Sequence, residues 1–306
     1  MKMKKRIAVG VDVGGTDIKC ALVDEEGKIL RRFKRSSKSD QSQQVILKNI
    51  IQLSAQVQKW AALHHFTILG FGFGIPGIVS REGVVFRSPH FPAWVDYPVL
   101  QELSAALKMP VQVDNDANMA ARGEAWLGAA QNLDNFVLLT LGTGIGGGIV
   151  IHREVFRGDS GFGGEIGHLI LNKKGYFCAC GGQGCLELYA SATALQKMSP
   201  YQPKKLFEKA RKGDKKSRKI FETLGENLGA GIASLVNVLD IENIFLGGGL
   251  LGAWEMFSKG ISRGIQKHTY PTVAERIRVH KAKLGNDAGV MGAAKMVFER
   301  NEETEL

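Results

Sequence analysis

The 306-residue chain has no run approaching eighteen consecutive apolar residues, which excludes a membrane-spanning helix. Its start, MKMKKRIAVGVDVGG, turns glycine-rich before any signal-peptide core or small-residue cleavage site, so the expectation is a soluble cytoplasmic protein with no membrane partner. Thiols are scarce: four cysteines, three of them within Cys178–Cys185, are too few and too close for a disulfide framework and suit a reducing compartment. A proline- or serine-rich linker is also missing, so any boundary between halves, near residues 117–120, is a hinge and not a tether. Acidic residues are outnumbered 30 to 40, giving a net charge of +10, yet PKKLFEKARKGDKKSRK (203–219) alone holds nine basic residues against two acidic ones. That stretch lacks the aromatic interleaving used for base stacking, and Leu206, Phe207 and Ala210 fall at the spacing of a buried helical stripe. The reading is a solvated helix face, with no nucleic acid partner.

What is present is an ordinary soluble composition, 44% hydrophobic and 23% charged, on a chain long enough for two packed domains. KRIAVGVDVGG and DIKCALVDEEGKILRRFKR read as strands with Asp24–Gly27 as a turn, and VILKNIIQLSAQVQKWAALHH has helical apolar spacing before the buried strand ILGFGFGIPG. Strands, helix and strand suggest an α/β domain. VQVDND is a short strand ending in acids, and ANMAARGEAWLG is a helix stopped by Gly128. A long helix, SRKIFETLGENLGAGIASLVNVLD, leads into the strand NIFLGGG, and DAGVMGAAKMVFER is helical. Cys20, alternating with Ile18 and Leu22, reads as a buried strand residue.

Two stretches are alike. Asp12-Val13-Gly14-Gly15-Thr16 and Thr140-Leu141-Gly142-Thr143-Gly144 each end one apolar strand and precede another. Such tips are plain structural turns or phosphate cradles, in which glycine lets the backbone approach, amides point outward, and a hydroxyl or Lys19 adds donors. GTGIGG (142–147), with Glu165 roughly twenty residues on, matches the dinucleotide fingerprint in spelling only. That fingerprint needs a helix after the third glycine, and GGIVIHREVF is β-branched and glycine-dense. The clustered spacing Cys-x-Cys-x4-Cys suits a metal.

With DVGGTDIK, VDNDAN, LGTGIGGG, GEIGH, CACGGQGCLE and FLGGGL in that order, the sequence resembles the ROK family of sugar kinases and repressors from about Ile7 to Ala294. The resemblance implies an α/β two-domain actin-like ATPase (ribonuclease H-like) fold with mixed sheets and an interdomain cleft. Residues 1–117 would form the smaller domain, with a C-terminal helix at 290–306 packed back onto it, and 118–289 the larger one with a zinc-binding loop. It implies ATP and Mg²⁺ at the hairpin tips and transfer of the γ-phosphate to a hexose hydroxyl. Glucose O6 is the first expectation, with N-acetylmannosamine, N-acetylglucosamine or another hexose as alternatives. It also implies a homodimer.

By the same resemblance, His168, Cys178, Cys180 and Cys185 would hold one structural Zn²⁺, a closed N/S set with no open position for water. Asp116 would be the base. By spacing alone Asp116 is equally the N-cap of the helix that follows, and Asp114 stands where glutamate is commoner in the family. Asn115, Glu165, His168 and Glu187 would hydrogen-bond sugar hydroxyls. Asp12 would position Mg²⁺. Gly14, Gly15, Thr16 and Lys19 would face the phosphates from one domain, Thr143 and Gly144 from the other, while Gly247, Gly248 and Gly249 admit adenine and ribose. His90, in SPHFPAW, replaces a family asparagine that touches sugar, and its alternative is a surface histidine with no role. A sugar-responsive repressor shares this pocket, but such repressors carry a helix-turn-helix segment before the phosphate hairpin, which here begins within the first dozen residues.

Overall fold

The structure is a computed structural model and describes residues 5–305. Strands β1 (Arg6–Val13), β2 (Asp17–Asp24) and β3 (Ile29–Ser36) form an antiparallel meander, followed by helix α1 (Gln43–Leu63) and strand β4 (Thr67–Ile75). Short strands β5 (Ile78–Val79), β6 (Val85–Arg87) and β7 (Val95–Tyr97) make a small antiparallel sheet before α2 (Val99–Leu107), β8 (Val111–Asn115) and α3 (Asp116–Leu127). After them come β9 (Phe136–Leu141), β10 (Ile145–Ile151) and β11 (Glu154–Val155), then α4 (Glu187–Ala190), α5 (Ala192–Met198), α6 (Pro203–Arg211) and α7 (Lys215–Leu239). The remainder is β12 (Asn243–Gly247), α8 (Trp254–His268), α9 (Pro271–Ala274), β13 (Arg278–Lys281) and α10 (Ala288–Glu305).

Compactness divides the chain into one unit of residues 1–133, 148–163 and 284–306 and another of 134–147 and 164–283. In the first, the sheet order β3-β2-β1-β4-β8 puts β1 at the centre, antiparallel to β2 and parallel to β4. A strand covered on both faces reads as a nearly continuous apolar run, and RIAVGVDV does. β3 is the edge, and Arg31, Arg32, Lys34 and Arg35 make it a poor template for further pairing. The period of two sorts β1 cleanly: Ile7, Val9, Val11 and Val13 join the core with Ile46, Ile50, Leu53 and Val57 of α1, while Ala8 packs with Val290, Ala294 and Val297 of α10.

That second face is built from close approach of backbone to backbone. A Cβ at Gly10 of β1 would collide with the Val290 carbonyl, one at Gly72 of β4 with that of Ala293, and one at Gly292 of α10 with that of Met119 in α3. Contact groups all of α3 with the first unit through a glycine-lined crossing with α10, whereas the sequence reading puts a boundary near 117–120. In the second unit, β12 pairs in parallel with β9 and β13. Its helices α7 and α8 cross through Gly225, Gly229, Gly260 and Gly264, each without room for a side chain.

GTGIGG does not open a helix: Gly146 and Gly147 lie inside β10, so the dinucleotide reading fails as its β-branched flank predicts. The basic stretch forms α6 with Leu206 and Ala210 buried, Phe207 half-buried, and Lys204 and Lys205 exposed. Cys20 is buried in β2, and burial pushes its thiol well above the usual range. Substituting Gly292→Ala is expected to cost about 1–3 kcal/mol through overpacking against α3. Calorimetry would show it as a lower Tm, and an unchanged Tm would mean that α10 does not press on α3 in solution.

Candidate active site

In the first unit the β1–β2 tip holds Gly14, Gly15 and Thr16, with Asp12 and Lys19 directly opposite in register. The tip is tied back through its carbonyls. Gly15 accepts from the Ser37 hydroxyl at 2.7 Å and Thr16 from the Ser37 amide at 3.0 Å, while the Gly14 amide donates to the Asp17 carbonyl. Among the described residues no carbonyl accepts from the amides of Gly15 and Thr16, which leaves both able to donate to an anion. Burial pushes the Asp12 carboxyl up, and the Lys19 ammonium, 3.6 Å away, pulls it part of the way back. His90 is exposed and lies on this tip: a Cβ at Gly15 would stand 3.0 Å from its Nδ1.

The β8–α3 junction answers one ambiguity of the sequence. Asn115 is the N-cap; its Oδ1 accepts from the amides of Ala117 at 2.8 Å and Asn118 at 3.1 Å, and its Nδ2 donates to the Gly77 carbonyl at 2.8 Å. Asp116 is the first helical residue, with Oδ1 2.9 Å from the Ala117 amide. The capping alternative for Asp116 is thus filled by its neighbour, and Asn115 keeps one amide hydrogen for any ligand. Asp114, 1% exposed, accepts from the Asn115 amide at 2.7 Å and Asn118 Nδ2 at 3.1 Å. Its Oδ2 lies 3.2 Å from Nε of Arg157, an ion pair whose alignment falls short of a hydrogen bond.

In the second unit the glycine-rich loop after β11 brings four donors together. The ligand atoms of His168, Cys178, Cys180 and Cys185 lie within 4.8 Å of one another. Tetrahedral zinc, with Zn–S of about 2.3 Å and Zn–N of about 2.0 Å, sets S···S at about 3.8 Å and S···N at about 3.5 Å. Cys180 and Cys185 are 3.6 Å apart through sulfur, and Cys178 Sγ is 3.7 Å from His168 Nδ1. Burial pushes the Cys178 thiol up to about 12 and raises Cys185 as well. At Cys180 burial acts the same way, but the Gly182 amide at 3.3 Å and the neighbouring thiols outweigh it, and the net shift is down. The spacing of three thiols and one imidazole matches a tetrahedral ion, so the donor set fits zinc.

The loop itself needs glycine at position 184, where φ is +82° and a side chain would strike the Asn172 carbonyl. Glu187, opening α4, sets Oε1 3.2 Å from Cys178 Sγ and 3.8 Å from His168 Nδ1, and its Oε2 reaches the space a side chain at Gly144 would fill. Glu165 lies 3.8 Å from His168 Nε2; burial raises its carboxyl, His168 opposes the rise and Glu187 adds to it. The β9–β10 tip is fastened by Thr193, whose hydroxyl donates to the Thr143 carbonyl at 2.7 Å. Gly248, with φ of +89°, backs onto Leu141 just before that tip, so Gly247–Gly249 and Thr143–Gly144 adjoin.

The structure therefore gathers Asp12, Gly14, Gly15, Thr16, Lys19 and His90 at one place and Asn115 with Asp116 at another in the first unit. In the second it gathers the zinc quartet, Glu165, Glu187, Gly144 and Thr143, with the 247–249 turn beside them. Ser37, Thr193 and Arg157 carry no signal in the sequence, because each acts on a residue far along the chain.

The ROK family pattern matches residues 8–300. The chain belongs to the ROK family. It is 33% identical to the glucokinase of Thermotoga maritima over 97% of this chain and 99% of that one. A xylose repressor of Caldicellulosiruptor bescii is 28% identical over 95% of this chain but only 77% of its own length. A solved ROK family glucokinase from Streptomyces griseus, in complex with glucose and AMPPNP, superimposes with a TM-score of 0.80 at 32% identity, over 96% and 99% of the two chains. The fold of this ROK protein is the two-domain actin-like one of such sugar kinases.

Metal analysis of purified protein is expected to give one zinc per chain. Its removal by a chelator should lower the Tm, as should Cys180→Ser; zinc well below stoichiometry, or a Tm indifferent to chelation, would show that the quartet is four ordinary side chains. His90→Asn separates two positions for that ring. Because it rests on Gly15, the Michaelis constant for nucleotide should change more than that for sugar, and the reverse split would place it on the sugar.

Proposed function

We propose that this protein is an ATP-dependent sugar kinase that transfers the γ-phosphate to a hexose hydroxyl, with glucose O6 as the acceptor. The observation that carries the reading is Asp116: a carboxylate on the first helical residue of α3, directly after the Asn115 cap, in a chain that aligns with a glucokinase over 97% of its length and 99% of the relative's. Phosphoryl transfer calls for alignment, charge neutralisation and an acceptor for the hydroxyl proton. Asp116 takes that proton. The outward amides of Gly15 and Thr16, with Lys19, hold phosphate oxygens by donation; Thr143 and Gly144 do so from the other tip, and Gly247, Gly248 and Gly249 let adenine and ribose lie close to the backbone.

Glu165, His168 and Glu187 read sugar hydroxyls, since carboxylates accepting from paired hydroxyls make strong directional bonds. Asn115 contributes through its one remaining amide hydrogen, and His90 borders the phosphate end of the site. Mg²⁺, held near Asp12, would neutralise the phosphate charge. Zinc would be held by His168, Cys178, Cys180 and Cys185, and its place is structural: it fixes Glu187 and His168 in a loop with little packing of its own. We read the protein as a cytoplasmic homodimer that binds no nucleic acid; among the described residues no helix is long and apolar enough to cross a membrane.

Asp116→Asn should keep the fold and ATP binding while lowering kcat by about 10²–10⁴-fold, the usual contribution of a general base. A coupled assay of ADP release over glucose, mannose, N-acetylglucosamine and N-acetylmannosamine tests the substrate. Glucose should give the highest kcat/KM; an N-acetylhexosamine ahead of it would reassign the acceptor, and no sugar-dependent release at all would end the kinase reading.

A further inference from the structure

Arg157 lies outside every motif that the proposed reaction uses, yet it is the residue that meets the buried Asp114 carboxylate. Asp114 is only two residues before Asp116 and also holds the Asn115 amide and the Asn118 carboxamide, so it fixes the strand end and the first turn of α3 together. A buried carboxylate without a cation is strongly disfavoured, and Arg157 is the cation that stands at Asp114. The arginine is itself anchored: its Nη2 lies 3.4 Å from the Ser80 carbonyl.

The segment behind it is latched to the same small sheet. Arg81 clasps the Gly158 carbonyl with Nε at 3.1 Å and Nη2 at 2.6 Å, Gly161 (φ +96°) fits against the main chain of Val79–Arg81, and Phe162 meets Phe86 edge to face at 5.1 Å. Two residues past Gly163 the chain reaches Glu165. One short stretch, 157–163, therefore touches the base-bearing junction at its first residue and runs directly into the acceptor-reading GEIGH segment.

We propose that Arg157 is a positioning residue for the phosphoryl transfer: paired with Asp114, it holds the β8–α3 junction that presents Asp116 and ties that junction to the segment leading to Glu165. This rests on the kinase reading above. Arg157 touches no reacting atom; removing it lets the junction relax, and a misplacement of about 1 Å can cost about 10²-fold in rate.

The test is a cycle of Arg157→Ala, Asp114→Asn and the double variant in the full-length zinc-loaded protein, with Arg157→Lys as the conservative member. Arg157→Ala should lower kcat by about 10–10²-fold while the Michaelis constant for ATP stays within about twofold, and Arg157→Lys should recover part of that loss. The double variant should be no worse than Arg157→Ala alone, because one interaction is removed twice. Additive losses, or a kcat in Arg157→Ala equal to that of the parent protein, would overturn the proposal. Hydrogen exchange at the amides of Asn115–Asn118 supplies a readout independent of turnover: it should quicken in Arg157→Ala and leave the α7 amides unchanged. Unaltered exchange there overturns the latch even in a fully active enzyme, whereas quickened exchange in a protein that phosphorylates no sugar would sink the kinase reading and keep the latch.

Discussion

Main chain pressed against main chain along α10 is the constraint on which the first unit depends. Gly10, Gly72 and Gly123 clear a trough floored by β1 and β4 and walled by α3, and α10 fills it with its own Gly292 turned to Met119. Such contact leaves no slack, because protein interiors are packed as densely as organic crystals and a single added methyl must displace something. The orientation of α3 is set by that crossing over its length and by the Asn115 cap at its start. Asp116 inherits its direction from both.

The second unit solves a different problem by different means. Glu165, His168 and Glu187 stand on or beside a loop rich in glycine whose β-structure is two isolated bridges, Ile170 to Cys185 and Phe177 to Gln183, where apolar packing alone would leave them loose. Three sulfurs and one imidazole replace the missing core. In metal-dependent peptides such a site supplies about 10–16 kcal/mol, on the scale of a whole domain's stability. Glu187 touches both that cluster and the space over Gly144, so metal order and tip order meet in one carboxylate.

Much of this was legible from residues alone. The apolar runs RIAVGVDV and DIKCALVD on either side of Gly14–Thr16 mark a hairpin with a glycine tip, the stripe Ile46, Ile50, Leu53 and Val57 marks α1, and the β-branched run after GTGIGG excludes a dinucleotide turn. The cysteine spacing announced a metal, and His168 came only with the family resemblance. What sequence could not decide was the cap of α3, since Asn115 and Asp116 are both good caps and the choice turns on a one-residue difference in where the helix starts. Arg157 was invisible for another reason: its partner is 43 positions away, and a one-dimensional pattern carries no sign of an ion pair between a loop and a strand end. The packing of α3 on α10 leaves no mark in the sequence, because the matched glycines that carry it, Gly123 and Gly292, lie more than 160 residues apart.

The trough under α10 also bears on synthesis. Its floor is made by β1 and β4, but its cover lies at residues 288–300, so a nascent chain carries those strands with an uncovered furrow until α10 has followed them out of the ribosome. Residues 134–147 and 164–283, complete before α10 emerges, are free to condense earlier. The strands made before the second unit are therefore covered only after it.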